Sequence, residues 1–291
     1  TKSAGCTVLM GVDNDPVVLQ AWSANNPGAT AVCASLPDDN VKWPDPEPDL
    51  HIHLSPPCQA LSNATHRLPD SSQLDLFRWS LEHAQRYSSW SIETVSTPRS
   101  RGLCDEYKVS WVLVDAANLG GAQDRSRLII APRHILQRLK ALPPQCRMSV
   151  RECIAAPSAH FRSTSSRSGK PRVRSVHSQS YTVLASHPLT WCNSDGSIVR
   201  CMTPREGASL QGLPPDWILP PLQRAAQRAV GNAIHAHVSR AIVQSAMQRP
   251  AEPGSTPIAI AVCSMIRELH AVDSSFVTHV AAYIRTLTDD L

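Results

Sequence analysis

The stretch LHIHLSPPC, residues 50–58, places an apolar segment directly before a proline-rich turn that carries a thiol. A short apolar run bounded by turn-forming residues predicts a buried strand. The two prolines restrict the backbone after this strand and hold Cys58 in a rigid loop. We therefore expect a strand over residues 50–54 that delivers a potential nucleophile to the edge of a sheet.

Strand-like and helical segments alternate on both sides of this stretch. Apolar residues at 74, 77, 81 and 84 recur at intervals of three and four, which predicts an amphipathic helix over 73–86. The other predicted elements are a strand over 7–12, a helix over 17–24 opened by Pro16, and strands over 89–92, 109–114 and 128–131. This order predicts an α/β fold with a doubly wound, mostly parallel sheet flanked by helices.

Three polar side chains follow predicted strands, namely Asp13, Cys58 and Glu93. Because the carboxyl ends of parallel strands lie at one edge of a sheet, we expect these residues to share one crevice. A nearby arginine or helix N-terminus would make the thiol nucleophilic by lowering its pKa from the usual value of about 8.5. Asp13 suits hydrogen bonds to ribose hydroxyls, and it equally suits a helix cap before Pro16.

Composition excludes several classes of protein. The chain has 291 residues, of which 42% are hydrophobic and 18% charged, so it can bury a large core. No apolar run approaches the roughly 18 to 20 residues that span a bilayer, so we expect no membrane partner. The nine cysteines form no C-x-x-C pair, which favours an intracellular, reducing compartment, nucleus or cytoplasm according to host, over disulfides or a zinc ribbon. The net charge of +4 is small, so polyanion binding requires local clusters.

Residues 153–194 differ from the rest of the chain because they contain no Asp or Glu and five Arg or Lys. We interpret them as a basic, separate segment, for which a solvated loop is an alternative. The predicted divisions are a catalytic and cofactor-binding domain over 1–148, a small target-recognition region over 149–200, a return to the catalytic domain over 201–247, a linker over 248–257 and a C-terminal helical tail over 258–291.

Five ordered sequence blocks resemble those of the cytosine-C5 DNA methyltransferase family. They are SPPCQALS (55–62), IETV (92–95), QDRSR (123–127), TPRE with LQGLP (203–214) and VGNAI (230–234). The resemblance covers about residues 5–247. It implies the α/β fold of S-adenosylmethionine-dependent methyltransferases with a small basic recognition lobe, S-adenosylmethionine as cofactor and double-stranded DNA as partner.

The chemistry of this family explains why such residues are needed. Carbon 5 of cytosine is a poor nucleophile until a thiolate adds to carbon 6, and the resemblance implies that Cys58 makes this addition. It also implies that Glu93 hydrogen-bonds N3 and the amino group of the base, that Arg127 holds the oxygen on carbon 2, and that Arg125 orders the site. The target base must leave the duplex to reach these groups.

The resemblance implies further contacts with the cofactor and with DNA. Cofactor contacts are implied for Asp13, Asn14, Ser35, Pro57, Leu76 and Asn232. Nucleic-acid contacts are implied for Gln59 and Ser62, and the basic segment adds candidate phosphate contacts from Arg162, Arg167, Lys170, Arg172 and Arg174.

The sequence also departs from the family pattern. No Phe-x-Gly-x-Gly loop precedes the first strand, so an upstream segment or a partner chain would supply it, or cofactor binding is reduced. Thr94 replaces the usual Asn, and Ser35 lies near the position of an Asp that contacts adenine. The variable region, about residues 149–175, is short, which predicts loose or short-site specificity.

Two other functions stay open at this stage. The missing loop leaves room for a catalytically impaired DNA-binding relative or one part of a split enzyme. The same thiol chemistry would also methylate cytosine in RNA. His51 with His53, and His235 with His237, are two residues apart rather than on one helix face at i and i+4, so we predict no metal site.

Overall fold

The structure is a computed structural model that describes residues 6–57, 61, 71–163, 172–247 and 259–263, with only the backbone of 71–73 and 259–263. The strands are β1 (Thr7–Asp13), β2 (Thr30–Cys33), β3 (Leu50–Leu54), β4 (Ser89–Thr94), β5 (Trp111–Asp115), β6 (Ser126–Ile130), β7 (His160–Arg162), β8 (Val173–Ser175), β9 (Thr190–Cys192), β10 (Ile198–Cys201) and β11 (Ala259–Cys263). The helices are α1 (Pro16–Asn25), α2 (Ser71–Ala84), α3 (Pro98–Glu106), α4 (Arg133–Ala141), α5 (Val150–Cys153), α6 (Pro204–Leu210), α7 (Gln223–Asn232) and α8 (Ala236–Met247).

Seven strands form the larger sheet in the order β2-β1-β11-β3-β4-β6-β5. Four of its pairings are parallel, whereas β6 runs antiparallel to both β4 and β5. The α/β fold is confirmed, but the sheet is mixed, so the prediction of a mostly parallel sheet holds only from β2 to β4. An apolar run does not encode strand direction, which is why the sequence did not reveal the reversal of β6.

Helices cover both faces of this sheet. On one face, Leu128 and Ile130 of β6 belong to an apolar core with Phe77 of α2 and Leu103 of α3. On the other face, Ile129 belongs to a core formed with α4 and α8. The alternation of these buried β6 residues follows from the two-residue period of a strand.

The position of β11 corrects the prediction of a C-terminal helical tail. Residues 259–263 form a strand between β1 and β3, with Ala261 paired to Met10 on one side and to Ile52 on the other. The rest of the tail and the predicted linker over 248–257 lie outside the described residues. A five-residue apolar run is compatible with strand or helix, and pairing partners on both sides decide in favour of the strand.

Proline at position 261 is expected to destabilise the sheet. Ala261→Pro removes a backbone N–H from a strand with neighbours on both sides, which we expect to lower the free energy of unfolding by about 3 kcal/mol. Urea denaturation measures this change, and hydrogen exchange on the unsubstituted chain should show protected amides over 259–263. Rapid exchange of those amides together with an unchanged unfolding midpoint would contradict the central placement of β11.

A smaller antiparallel sheet has the order β10-β9-β7-β8 and lies within the predicted recognition region. Phe161 and Trp191 are fully buried in its core, with ring centroids 6.4 Å apart in an edge-to-face arrangement. The same core includes Leu210 of α6 and Trp217. The strands of this small lobe therefore pack against the segment after residue 201. This contact crosses the boundary predicted between the recognition region (149–200) and the returning catalytic domain (201–247).

Glu206 connects α6 to the smaller sheet. Its carboxylate accepts hydrogen bonds from the Trp191 indole at 3.0 Å, from Arg200 at 2.8 Å and from the Thr203 backbone at 2.7 Å. Burial alone would raise the pKa of Glu206, but the bonds from Arg200, Thr203 and Trp191 outweigh burial and lower the pKa to about 2.

We expect Glu206 to make stability depend on pH in the acidic range. Because its pKa is lower in the folded state, its stabilisation is complete above the unfolded pKa of about 4.3 and is lost as pH falls towards 2. Glu206→Gln should lower the free energy of unfolding at pH 7 by about 1–3 kcal/mol. It should also weaken the fall of that free energy between about pH 4 and pH 2, which we call the acid limb. Urea denaturation from pH 2 to 7 measures both effects. Asp75→Asn, at an exposed pair with Arg78, is the control and should leave the limb unchanged.

Candidate active site

The carboxyl edge of the larger sheet brings together most of the candidate residues. Asp13 ends β1, Glu93 lies near the end of β4, and the proline-rich loop leaves the end of β3. Asp13 and Glu93 are buried, with 5% and 7% of their surfaces exposed. The parallel registers of β1, β11, β3 and β4 place these strand ends side by side, as expected from the sequence.

Described residues on each side of Cys58 are buried in the protein. Pro56 is buried and Pro57 half-buried, and Leu61 is 2% exposed in the core that α2 forms with the sheet. Cys58, Gln59 and Ser62 lie outside the described residues. The loop therefore starts at the carboxyl end of β3, and its residue Leu61 packs in the core.

Glu93 and Arg127 form a buried ion pair. Arg127 Nε lies 2.7 Å from Glu93 Oε1, and only 9% of the Glu93 side chain and 13% of the Arg127 side chain are exposed. The antiparallel register pairs Glu93 with Ile129, so Arg127 lies two residues along β6 on the same face. Among the described residues Glu93 Oε1 has no hydrogen-bond partner besides this ion-pair contact, so it keeps acceptor capacity. The sequence blocks predicted both residues, and the structure pairs them.

Arg125 has a different position from Arg127. Its guanidinium donates to the carbonyl oxygens of Val183 at 3.1 Å, Gly231 at 3.1 Å and Ala233 at 2.8 Å, and the residue is 2% exposed. These bonds join the segment before α6 to the end of α7. Arg125 therefore joins these two backbone segments, and its role in ordering a catalytic site stays a prediction.

Sequence reasoning missed two buried glutamines that connect the motif blocks. Gln123 accepts from the Val183 backbone at 3.0 Å and donates to Gln211 Oε1 at 3.2 Å. Gln211 in turn donates to the carbonyl of Val230 at 2.7 Å. Both glutamines are fully buried, and each lies in one of the sequence blocks that resemble the family. Their position inside the blocks that resemble the family was the only signal that the sequence offered.

The cofactor candidates occupy neighbouring elements at the β1 end of the edge. Asp13 Oδ1 accepts from the backbone N–H of Asp15, and Asp15, not Asp13, is the N-cap of α1. The neighbouring Asn14 is exposed. Arg228 of α7 pairs with Asp15, and α7 packs on α1, which brings the half-buried Asn232 to this side of the molecule. The capping alternative for Asp13 is thus excluded.

The remaining cofactor candidates lie on other elements. Ser35 follows β2 and is exposed, and Leu76 is 9% exposed on α2. Thr94, which replaces the usual Asn, is 1% exposed, and its hydroxyl has no hydrogen-bond partner among the described residues.

The basic residues of the smaller sheet are not equally available to a ligand. Arg172 is exposed, whereas Arg162 donates to the Gly196 carbonyl at 3.0 Å. Arg174 contacts Asp124 at 2.6 Å and lies over the Tyr181 ring at 4.0 Å, so its guanidinium takes part in packing the lobe. Arg167 and Lys170 lie outside the described residues.

Histidines near the site make internal hydrogen bonds. His51 and His53 bond serine hydroxyls, and burial lowers the pKa of His53 to about 4. His235 contacts the Leu210 carbonyl at 3.1 Å. Across the described ranges, His, Cys, Asp and Glu side chains form no group of three that could hold a metal ion, and no helix combines the length and apolar character of a membrane span.

Comparison with protein families supports the inference from the sequence blocks. Residues 146–248 match the family model described as C-5 cytosine-specific DNA methylase, and the resemblance to that family is confirmed. No curated protein sequence matches the chain.

Several solved structures share the fold. An E. coli prophage-encoded protein provisionally assigned as a DNA modification methyltransferase has a TM-score of 0.59 at 16% identity, covering 84% of this chain and 92% of its own. A DNMT2 mutant from Spodoptera frugiperda has a TM-score of 0.52 at 14% identity, with 82% and 92% covered. The methyltransferase EhMeth from Entamoeba histolytica has a TM-score of 0.51 at 14% identity, with 84% and 90% covered. These likenesses show that the chain shares the fold of these proteins.

Proposed function

We propose that this protein is a DNA (cytosine-5)-methyltransferase that acts through a covalent Cys58 adduct. The buried Glu93–Arg127 pair carries the proposal, because it lies at the sheet edge from which the loop containing Cys58 departs. The family match over 146–248 and the neighbour assigned to DNA modification favour cytosine in DNA as the substrate.

Glu93 and Arg127 suit recognition of a cytosine ring. A carboxyl group that carries a proton can donate it to N3 of the base and accept from the amino group on carbon 4, and a guanidinium can donate to the oxygen on carbon 2. Their ion pair holds the two groups 2.7 Å apart in a buried position, where such bonds are stronger than in water. This arrangement selects a base that has left the duplex.

The proposed reaction has three steps, which are addition of the thiolate, transfer of the methyl group and elimination of the thiolate. The Cys58 thiolate forms a bond to carbon 6 while N3 gains a proton through Glu93, so carbon 5 becomes an enamine carbon. When bound, S-adenosylmethionine would supply the electrophilic methyl group that carbon 5 takes, and its sulfur would keep the electrons of the broken bond, so that S-adenosylhomocysteine leaves. Loss of the carbon 5 proton to a base and expulsion of the Cys58 thiolate restore the ring, and N3 returns its proton to Glu93.

The residues at the β1 end of the edge fit a nucleoside cofactor. Asp13 presents a buried carboxylate at a strand end, a chemistry that suits ribose hydroxyls. Asn14 and Ser35 are exposed polar groups beside it, and Leu76 offers an apolar surface. In this proposal Pro57 and Asn232 complete the contacts.

The smaller lobe would grip DNA mainly through phosphates. The exposed Arg172 is available for such a contact, and Arg167, Lys170, Gln59 and Ser62 remain proposed contacts. Because Arg162 and Arg174 are engaged within the lobe, we expect few base contacts and short-site specificity.

Trapping of the adduct tests the proposal. The full chain is incubated with labelled S-adenosylmethionine and a duplex carrying 5-fluorocytosine, whose fluorine cannot leave as a proton does. We expect a labelled covalent adduct that Cys58→Ser abolishes. Glu152→Gln, at an exposed carboxylate outside the site, is the control and should retain the adduct.

Three outcomes would contradict the proposal. Duplex binding without adduct would indicate a DNA-binding relative, and adduct on a structured RNA but not on duplex DNA would indicate an RNA methyltransferase. Equal adduct from Cys58→Ser would exclude the assigned nucleophile.

A further inference from the structure

A ladder of alternating serines and histidines runs between β3 and β4. His51 Nδ1 lies 2.8 Å from Ser89 Oγ and His51 Nε2 lies 2.8 Å from Ser91 Oγ. His53 Nδ1 lies 2.8 Å from the same Ser91 Oγ, and His53 Nε2 lies 3.0 Å from Ser55 Oγ. All four imidazole nitrogens therefore have a hydroxyl partner.

The ladder leads directly to the candidate active site. His51 pairs with Ser89 and His53 with Ser91 in the parallel register, and the next residue on the same face of β4 is Glu93. At the β3 end, Ser55 is the first residue of the loop that contains Cys58. The ladder thus joins the strand of one reactive group to the loop of the other.

The ladder is buried and uncharged near neutral pH. His51 is 1% exposed, His53 and Ser55 are each 7% exposed, and Ser91 is fully buried. Burial lowers the pKa of His51 to about 3, with a further contribution from His53, and burial lowers the pKa of His53 to about 4. Polar groups in a sheet core cost free energy unless they are bonded, and aliphatic side chains would fill this space more simply.

The number of donors and acceptors makes Ser91 the central residue of the ladder. A neutral imidazole has one donor and one acceptor nitrogen, and a serine hydroxyl has one proton. If Ser91 donates to one ring it accepts from the other, so His51 and His53 carry their protons on the same nitrogen type. The direction of every bond from Ser89 to Ser55 is then coupled through one hydroxyl.

We propose that this ladder positions the loop containing Cys58 against Glu93, with Ser91 and His53 as positioning residues. The inference rests on the proposed methyltransferase function. Directional hydrogen bonds hold Ser55 in one place, where apolar packing would allow it to shift. A displacement of about 1 Å between reacting groups can slow a reaction by roughly 100-fold.

A matched pair of variants tests the role of the Ser91 hydroxyl. Ser91→Thr and Ser91→Val have nearly the same shape, and only threonine keeps a hydroxyl. We expect the valine variant to form the 5-fluorocytosine adduct about 10- to 100-fold more slowly than the threonine variant, with the KM for S-adenosylmethionine changed less than about 3-fold. Ser245→Ala, at a fully buried serine bonded to the Ala241 carbonyl in α8, is the control and should retain the original rate.

Nitrogen NMR of the histidine rings supplies a second readout. With histidine-labelled protein and His51→Asn and His53→Asn for assignment, both rings should show the same tautomer, and Ser91→Val should uncouple them. Opposite tautomers in the unsubstituted chain, or equal adduct rates for the threonine and valine variants, would overturn the positioning role alone. Absence of adduct in the unsubstituted chain would overturn the proposed function and this role with it.

Discussion

Glu93→Gln is expected to slow adduct formation by about 10²- to 10⁴-fold while leaving duplex binding in place. Glutamine has nearly the shape of glutamate and keeps an oxygen near Arg127, but it has no carboxyl proton to deliver to N3 of cytosine. Without that proton, addition of the Cys58 thiolate leaves negative charge on the ring. The measurement is the single-turnover rate of adduct formation on the 5-fluorocytosine duplex.

The control must separate chemistry from stability. Glu93→Gln leaves the buried Arg127 without its anion, which we expect to lower the free energy of unfolding by a few kcal/mol. Glu206→Gln also removes a carboxylate bonded to an arginine, but in the smaller lobe. It should cost stability without slowing the adduct. Equal slowing by both variants would show that stability, and not proton delivery, explains the Glu93 effect.

Gly231→Ala is expected to cost at least about 4 kcal/mol of folding free energy, a large part of the total for an ordinary domain. A Cβ atom at this position would lie 2.1 Å from Ala185 N and 2.2 Å from the Leu184 carbonyl carbon. These are backbone atoms and cannot rotate away. The Gly231 carbonyl also accepts from Arg125, so displacement of this segment would break the contacts that order the site.

The matched control is a glycine-to-alanine substitution at Gly102, where a Cβ atom has room. Beyond the neighbouring residues and backbone of α3 itself, no heavy atom of the described residues lies within 4 Å of a Cβ placed on Gly102. Gly102→Ala should therefore be neutral or should stabilise the chain by up to about 1 kcal/mol, because alanine favours helix. Urea denaturation and soluble yield measure both variants. A Gly231→Ala chain as stable as the Gly102→Ala chain would disprove the close approach of α7 to residues 184–185.

The strands and helices nearest the candidate site followed well from local sequence patterns. The helix predicted over 73–86 is α2, shifted by two residues at each end, and the strand predicted over 50–54 is β3. In each of these two segments the spacing of apolar residues, together with the turn-forming residues at its ends, favours one type of secondary structure. The sequence blocks also predict Glu93 and Arg127 as site residues, without indicating their contact.

Other features of the site could not be read locally. The buried bonds of Gln123 and Gln211 join segments about 90 residues apart, and no periodicity reports a partner at that distance. The same holds for His51 and His53, whose alternation along one strand is visible but whose serine partners depend on the register of β4. Both networks use polar residues that, taken singly, are more often exposed.

The sequence by itself determined the α/β class, the elements around residues 50–94 and the reactive side chains at their ends, because these depend on short-range periodicity, proline restrictions and residue chemistry. Only the tertiary structure decided the antiparallel direction of β6, the central place of β11 and the pairing of Glu93 with Arg127. Strand direction, order and register are set by hydrogen bonds and packing between distant segments, and the free energy of each choice depends on neighbours that local sequence does not specify.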